Sequence, residues 1–118
     1  MKKVLIVEDD EDTLDMLGMF ASHFNYEVIL KPQITSIEEL QEINPDLILL
    51  DHWVGQRLGS KFCAQLKSNP LTNHIPIVLM SAISDIGHIA REACADGALI
   101  KPFDLDQVEA IFDAYLGE

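Results

Sequence analysis

Cations are scarce in this chain: 8 Lys and Arg stand against 20 Asp and Glu, for a formal charge of -12. A surface so acidic argues against gripping nucleic acid or anionic lipid directly, because both need clustered Lys and Arg. It favours a metal cation, or a partner with a basic face. Long apolar runs are missing too: none approaches the roughly 18–20 residues of a transmembrane helix, so no membrane role is expected. The opening Met1-Lys2-Lys3-Val4 only faintly imitates a signal peptide, since the apolar stretch stops at Glu8 and acids crowd positions 8–15. The protein therefore reads as soluble and cytoplasmic. Cysteine is limited to Cys63 and Cys94, with no CxxC, and His23, His52, His74 and His88 lack zinc-like spacing. Two buried, reduced thiols are expected, with His52 and His88 at the surface. Repeats, low-complexity tracts and linkers are also lacking.

What is present fits one packed domain. The 118 residues are 48% hydrophobic and 24% charged, enough for a core and unlike a disordered chain. Val4–Val7, Leu47–Leu50 and Ile77–Met80 are apolar throughout, as expected for parallel strands covered on both faces. Tyr26–Leu30 and Ala98–Ile100 are weaker strands, expected at the sheet edges.

Helical stripes fill the gaps: Leu14, Leu17, Ala21 and Phe24; Ile37, Leu40 and Ile43; Phe62 and Leu66; Ile86, Ile89, Ala90 and Ala93; and Leu105, Val108, Ile111, Phe112 and Tyr115. Ser36 with Glu39 has capping-box spacing, and Asp104 can cap the last helix. Pro45, Pro70, Pro76 and Pro102 fall between elements. This (βα)5 alternation predicts an α/β fold, a right-handed, doubly wound parallel sheet with helices on both faces. The chain stops at Gly117-Glu118 after the fifth helix, so a single domain over 1–118 with no output domain is expected.

In such sheets ligands bind beyond the carboxyl ends of the strands. Glu8, Asp9 and Asp10 follow the first strand, Asp51 the third, Ser81 and Ala82 the fourth, and Lys101-Pro102 the fifth. Carboxylates held together repel one another unless a cation intervenes, and a hard ion such as Mg2+ suits an oxygen-rich site. Glu8 and Asp9, at the strand end itself, are the metal candidates; Asp10, Glu11, Asp12 and Asp15 read as a solvated helix start. Asp51 can act as a nucleophile and form an acyl phosphate, with Mg2+ and Lys101 offsetting charge on the transferred oxygens. Ser81 can donate to a phosphoryl oxygen, and Ala82 leaves room for entry.

The segments Val4-Leu5-Ile6-Val7-Glu8-Asp9-Asp10, Pro45-Asp46-Leu47-Ile48-Leu49-Leu50-Asp51, Ile75-Pro76-Ile77-Val78-Leu79-Met80-Ser81-Ala82 and Lys101-Pro102-Phe103 together resemble the motifs of the response-regulator receiver domain of two-component signalling. The resemblance runs from about Lys3 to the end. It implies a flavodoxin-like three-layer sandwich with strand order 2-1-3-4-5, and a phosphoryl group accepted on Asp51 from a sensor histidine kinase or phosphotransfer protein. It further implies Mg2+ bound by Glu8, Asp9, Asp51 and the backbone carbonyl of Trp53, with Ser81 as switch hydroxyl, Lys101 as the site lysine and a cis Lys101–Pro102 bond. A downstream protein target is implied as well.

Three positions depart from the pattern. Ala98 stands where the family usually has Tyr or Phe, Cys94 replaces a customary glycine, and Gly55 stands where proline is common. No Lys or Arg follows Lys101, and Arg91 is the only one in the fourth helix, so the salt-bridged dimer of DNA-binding relatives is not expected. Trp53 either hinders the attacking water and prolongs the phosphorylated state, or is a partly exposed aromatic on a loop.

The leading reading is a stand-alone receiver acting as a switch or phosphorelay intermediate. The alternatives are a phosphorylation-independent interaction module and a receiver fragment of a larger regulator. A turnover enzyme is disfavoured: aspartate-nucleophile phosphatases typically place a second acid two residues after the nucleophile, where Trp53 stands. A flavin role is weaker still, since no phosphate-cradling loop follows the first strand.

Overall fold

The computed structural model describes residues 1–33 and 36–117. The expected chain end at Glu118 therefore lies outside the described residues. The described residues form, in chain order, β1 (Lys3–Val7), α1 (Glu11–Ser22), β2 (Glu27–Lys31), α2 (Ile37–Ile43), β3 (Leu47–Asp51), β4 (Trp53–Val54), β5 (Arg57–Leu58), α3 (Gly59–Lys67), β6 (Ile77–Ser81), α4 (Ile86–Glu92), β7 (Gly97–Ile100) and α5 (Leu105–Leu116). β1, β2, β3, β6 and β7 form a parallel sheet in the order β2-β1-β3-β6-β7. That is the expected flavodoxin-like order, with the two weaker strands at the edges.

Alternation along the strands divides the core into two layers. Leu5, Val7, Ile48, Leu50, Ile77 and Leu79 face α2, α3 and α4, where they pack on Leu40, Phe62, Cys63, Leu66, Ile86 and Ala90. Val4, Ile6, Leu47, Leu49, Val78 and Met80 face α1 and α5, packing on Leu14, Leu17, Val108, Phe112 and Leu116. Because both faces are covered, β3 and β6 are buried at every residue, which explains why they read as unbroken apolar runs. Each fully buried Leu or Ile contributes about 1.5–3 kcal/mol of transfer free energy before entropy is counted. β2 starts at Glu27, one residue after the expected start; Tyr26 instead sets its ring edge-on to Phe112 at 5.5 Å. Phe24 likewise lies beyond the end of α1 and meets Phe112 at 5.4 Å.

Local chemistry ends the helices where the sheet needs them to end. Asp10 caps α1 by accepting from the Thr13 amide at 3.1 Å, and the Ser36 hydroxyl accepts from the Glu39 amide at 3.1 Å. Asp104 and Gln107 form a reciprocal capping box at the start of α5. α4 closes with two bonds, Cys94 N–H to Arg91 O at 3.2 Å and Ala95 N–H to Ala90 O at 2.9 Å, which is the Schellman pattern. That motif requires a left-handed residue, and Cys94 supplies it at φ 61°. The expectation of two buried thiols therefore fails for Cys94, which is exposed, while Cys63 is buried. The turn geometry, and not hydrophobicity, sets the place of Cys94.

Two further expectations are corrected. The central (βα)5 count holds, but β4 and β5 add a small antiparallel hairpin inside what reads as the loop after β3. Gly55, at φ 63°, makes its turn, and a glycine at the first turn position is the signal that marks such a hairpin. Trp53 accordingly sits on a strand and not on a loop. His52 is buried, not on the surface, because its backbone N–H continues the ladder to Met80 O at 2.8 Å and its carbonyl accepts from the Gly59 N–H at the start of α3 at 2.6 Å. His88 is exposed, as expected, and pairs with Glu92.

Candidate functional site

Parallel topology sends the carboxyl ends of β1, β3, β6 and β7 to one rim. Val7 is level with Leu50, Leu50 with Leu79 and Ser81 with Ile100, so the residues just beyond these positions are neighbours in space. Glu8, Asp9 and Asp51 each present a carboxylate oxygen, all within 4.8 Å of one another. Glu8 and Asp51 are buried, whereas Asp9 faces solvent. Lys101 reaches in from the end of β7. Its Nζ donates to Asp51 Oδ1 at 2.8 Å and also bonds Glu8 Oε1.

The electrostatics follow from burial and neighbours. Burial pushes the Glu8 carboxyl up to about 6; the hydrogen bond from Lys101 opposes this, and the charge on Asp51 adds to it. For Lys101, burial works against the charged form, yet the bonds to Asp51 and Glu8 outweigh it and hold the pKa above that of an ordinary lysine. Three acids with one ammonium leave the rim net negative and rich in hard oxygen donors. Such a donor set fits a small divalent cation better than a soft metal.

The surrounding groups are equally ordered. The Trp53 N–H donates to Asp51 Oδ2 at 3.3 Å, and the Gly55 N–H donates to Asp9 Oδ2 at 2.8 Å. The hairpin thus braces two of the three acids, a contact that sequence reasoning missed because it depends on the turn at Gly55. Ser81 is buried at the end of β6 and accepts from the Ile83 N–H at 3.1 Å, which leaves its own O–H to donate. Ala82, beside it, is exposed. Gly59, at the start of α3, packs on the backbone at the end of β3; a Cβ there would strike the Asp51 carbonyl oxygen and lie 3.0 Å from its carbon. The Lys101–Pro102 bond is cis, as expected. Asp10, Glu11, Asp12 and Asp15 stay on the exposed start of α1, also as expected. Glu8, Asp9, Asp51, Ser81 and Lys101 therefore all lie at this one rim of the sheet.

The model of the response regulator receiver domain matches residues 4–113. The chain belongs to this family. Among curated relatives, the receiver is 34% identical over 113 residues to the uncharacterized transcriptional regulatory protein YvcP of Bacillus subtilis, covering 93% of this chain and 46% of that protein. It is 32% identical over 122 residues to the response regulator ArlR of Staphylococcus saprophyticus, covering 98% of this chain and 53% of the relative. The receiver thus spans about half the length of the curated relatives it matches. Among solved structures, the signal receiver domain of a DNA-binding response regulator from Colwellia psychrerythraea superposes with a TM-score of 0.88 at 24% identity, over 100% of both chains. The receiver domain of a sensor histidine kinase from Pseudomonas aeruginosa has a TM-score of 0.86 at 19% identity, covering 99% of this chain and 98% of that one. That structure holds a magnesium ion in its active site cleft. Among the described residues of this receiver, no helix is long and apolar enough to cross a membrane.

Proposed function

We propose that the protein accepts a phosphoryl group on Asp51 from a histidine kinase or phosphotransfer protein, in a Mg2+-dependent reaction. By this it acts as a signalling switch or phosphorelay intermediate. The observation that carries the reading is the position of Lys101, bonded at once to Asp51 and to Glu8 within a three-acid cluster. A structural domain gains nothing from crowding like charges at a buried strand end, whereas phosphoryl transfer needs such a set.

In the proposed reaction an Asp51 oxygen bonds phosphorus as the P–N bond of the donor phosphohistidine breaks, and the imidazole leaves with the electron pair. Glu8, Asp9, Asp51 and the Trp53 carbonyl would hold Mg2+. When bound, the ion offsets negative charge on the phosphoryl oxygens. Lys101 then exchanges its carboxylate contact for a phosphoryl oxygen, and the Ser81 hydroxyl donates to a second one. Ala98 lies on β7 and carries no ring, so a conformational response here cannot run through an aromatic side chain at that position. Trp53, two residues after Asp51, is 49% exposed, and its bulk would slow the attacking water; a Trp53→Ala protein that loses phosphoryl at an unchanged rate would remove that role. We also place the protein in the cytoplasm, where a kinase of this kind would meet it.

The test is incubation with Mg2+ and acetyl phosphate followed by intact mass. One phosphoryl group gained, and lost in Asp51→Asn or with EDTA, is the expected result. A folded protein that binds Mg2+ and gains none would make it a phosphorylation-independent interaction module.

A further inference from the structure

Residues 52–84 contain no Asp or Glu, although the chain holds 20. The same stretch carries Arg57, Lys61 and Lys67. Lys67 is spent on Asp96, at 2.7 Å. Arg57 and Lys61 are exposed and have no carboxylate partner among the described residues. They flank a cleft of about 280 Å³ between the β4–β5 hairpin and α3, lined also by Trp53, Gln56, Phe62 and Gln65. The Arg57 guanidinium lies 6.0 Å from the centre of the buried Phe62 ring, which helps to hold it at the cleft. Trp53 leaves a half-exposed apolar ring at the mouth, an uncommon exposure for the chain's only tryptophan.

From these residues we infer that the hairpin–α3 cleft is a docking site for an acidic peptide segment of a protein partner, one with an apolar side chain flanked by carboxylates. Arg57 and Lys61 meet the carboxylates, the guanidinium as a two-donor fork. Trp53 supplies the apolar anchor, and such rings dominate interface energetics. Gln56 and Gln65 can pair with the peptide backbone. Charge complementarity selects this occupant: the protein as a whole is strongly negative and repels acidic chains, whereas this cleft is lined by two cations and no acid. Two cations are too few to hold nucleic acid, whose binding rests on several phosphate contacts. Nothing in this docking requires phosphoryl transfer at Asp51.

The experiment selects short random peptides displayed on phage against the full chain, then titrates the synthesised winners while following emission from Trp53. Winners rich in Asp and Glu around an aromatic or leucine residue are expected to shift that emission. Their affinity should fall roughly tenfold in R57E/K61E, fall less in the neutral R57Q/K61Q, and weaken as salt is raised. Both pairs are exposed, and circular dichroism checks that the variants fold. A selection that yields no acidic sequences would overturn the inference. So would acidic binders that hold R57E/K61E as tightly as the parent protein.

Discussion

The rim around Asp51 and the cleft beside Trp53 share one hairpin yet carry opposite charge. On the rim, Glu8, Asp9 and Asp51 crowd within 4.8 Å and one ammonium answers three carboxylates. A few residues on, the stretch 52–84 is free of acids, and Arg57 and Lys61 stand without carboxylate partners among the described residues. The backbone amides of Trp53 and Gly55 point to the first region, while the Trp53 ring lines the second. Net charge therefore misleads about binding here. A total of -12 describes the average, but a ligand meets a local field set within about a Debye length, roughly 8–10 Å.

Substitutions that unbalance the rim should be the most damaging. Lys101→Met leaves Glu8 and Asp51 facing each other with no cation between them, and without Mg2+ it should cost about 3 kcal/mol at neutral pH, read by urea unfolding. Adding Mg2+ should recover part of that loss; no recovery would argue against the acids sharing an ion. Next comes Gly59→Ala, which drives a methyl into the Asp51 carbonyl and should cost about 2 kcal/mol while displacing the Asp51 carboxylate. An unchanged melting temperature would show that α3 can shift off the strand end freely.

Away from the rim the expected effects on stability shrink. Cys94→Gly relieves a left-handed side chain but loosens the unfolded chain, for a net gain of about 0.5–1 kcal/mol by the same unfolding assay. R57E/K61E should stay within about 0.5 kcal/mol of the parent, because both cations are exposed and neither has a carboxylate partner among the described residues. A larger loss would mean that the cleft is structural and not a docking surface.

The two thiols sharpen the contrast between buried and exposed chemistry. Burial pushes the Cys63 thiol up to about 11, against a small opposing pull from Lys67, so almost no thiolate exists at neutral pH. Iodoacetamide at pH 7 should therefore label Cys94 alone in the folded protein, with Cys63 reacting only after denaturation, as peptide mass spectrometry would show. Labelling of both in the native state would mean that α3 opens readily.

Much of the fold is legible in the sequence because two periodicities mark it. Strands covered on both faces must be apolar at every position, so β1, β3 and β6 stand out; helices covered on one face show stripes. Edge strands are blurred for the same reason: β2 is only half covered, and Tyr26 reads as part of it although its ring serves Phe112. The site residues are legible because a parallel sheet gathers the residues at its strand ends on one rim. The hairpin is not, since two-residue strands show no period, and its one mark is the glycine at its turn.

The sequence by itself determined the layers, the strand ends and the residue types that collect there, since these follow from local period, capping and chain direction. Only the tertiary structure decided how those residues pair. Lys101 meets Glu8 from 93 positions away, His52 is buried between the end of the sheet and the start of α3, and Cys94 is turned outward by a helix cap. Such contacts depend on where whole elements come to rest against one another, and no local pattern of side chains carries that distance.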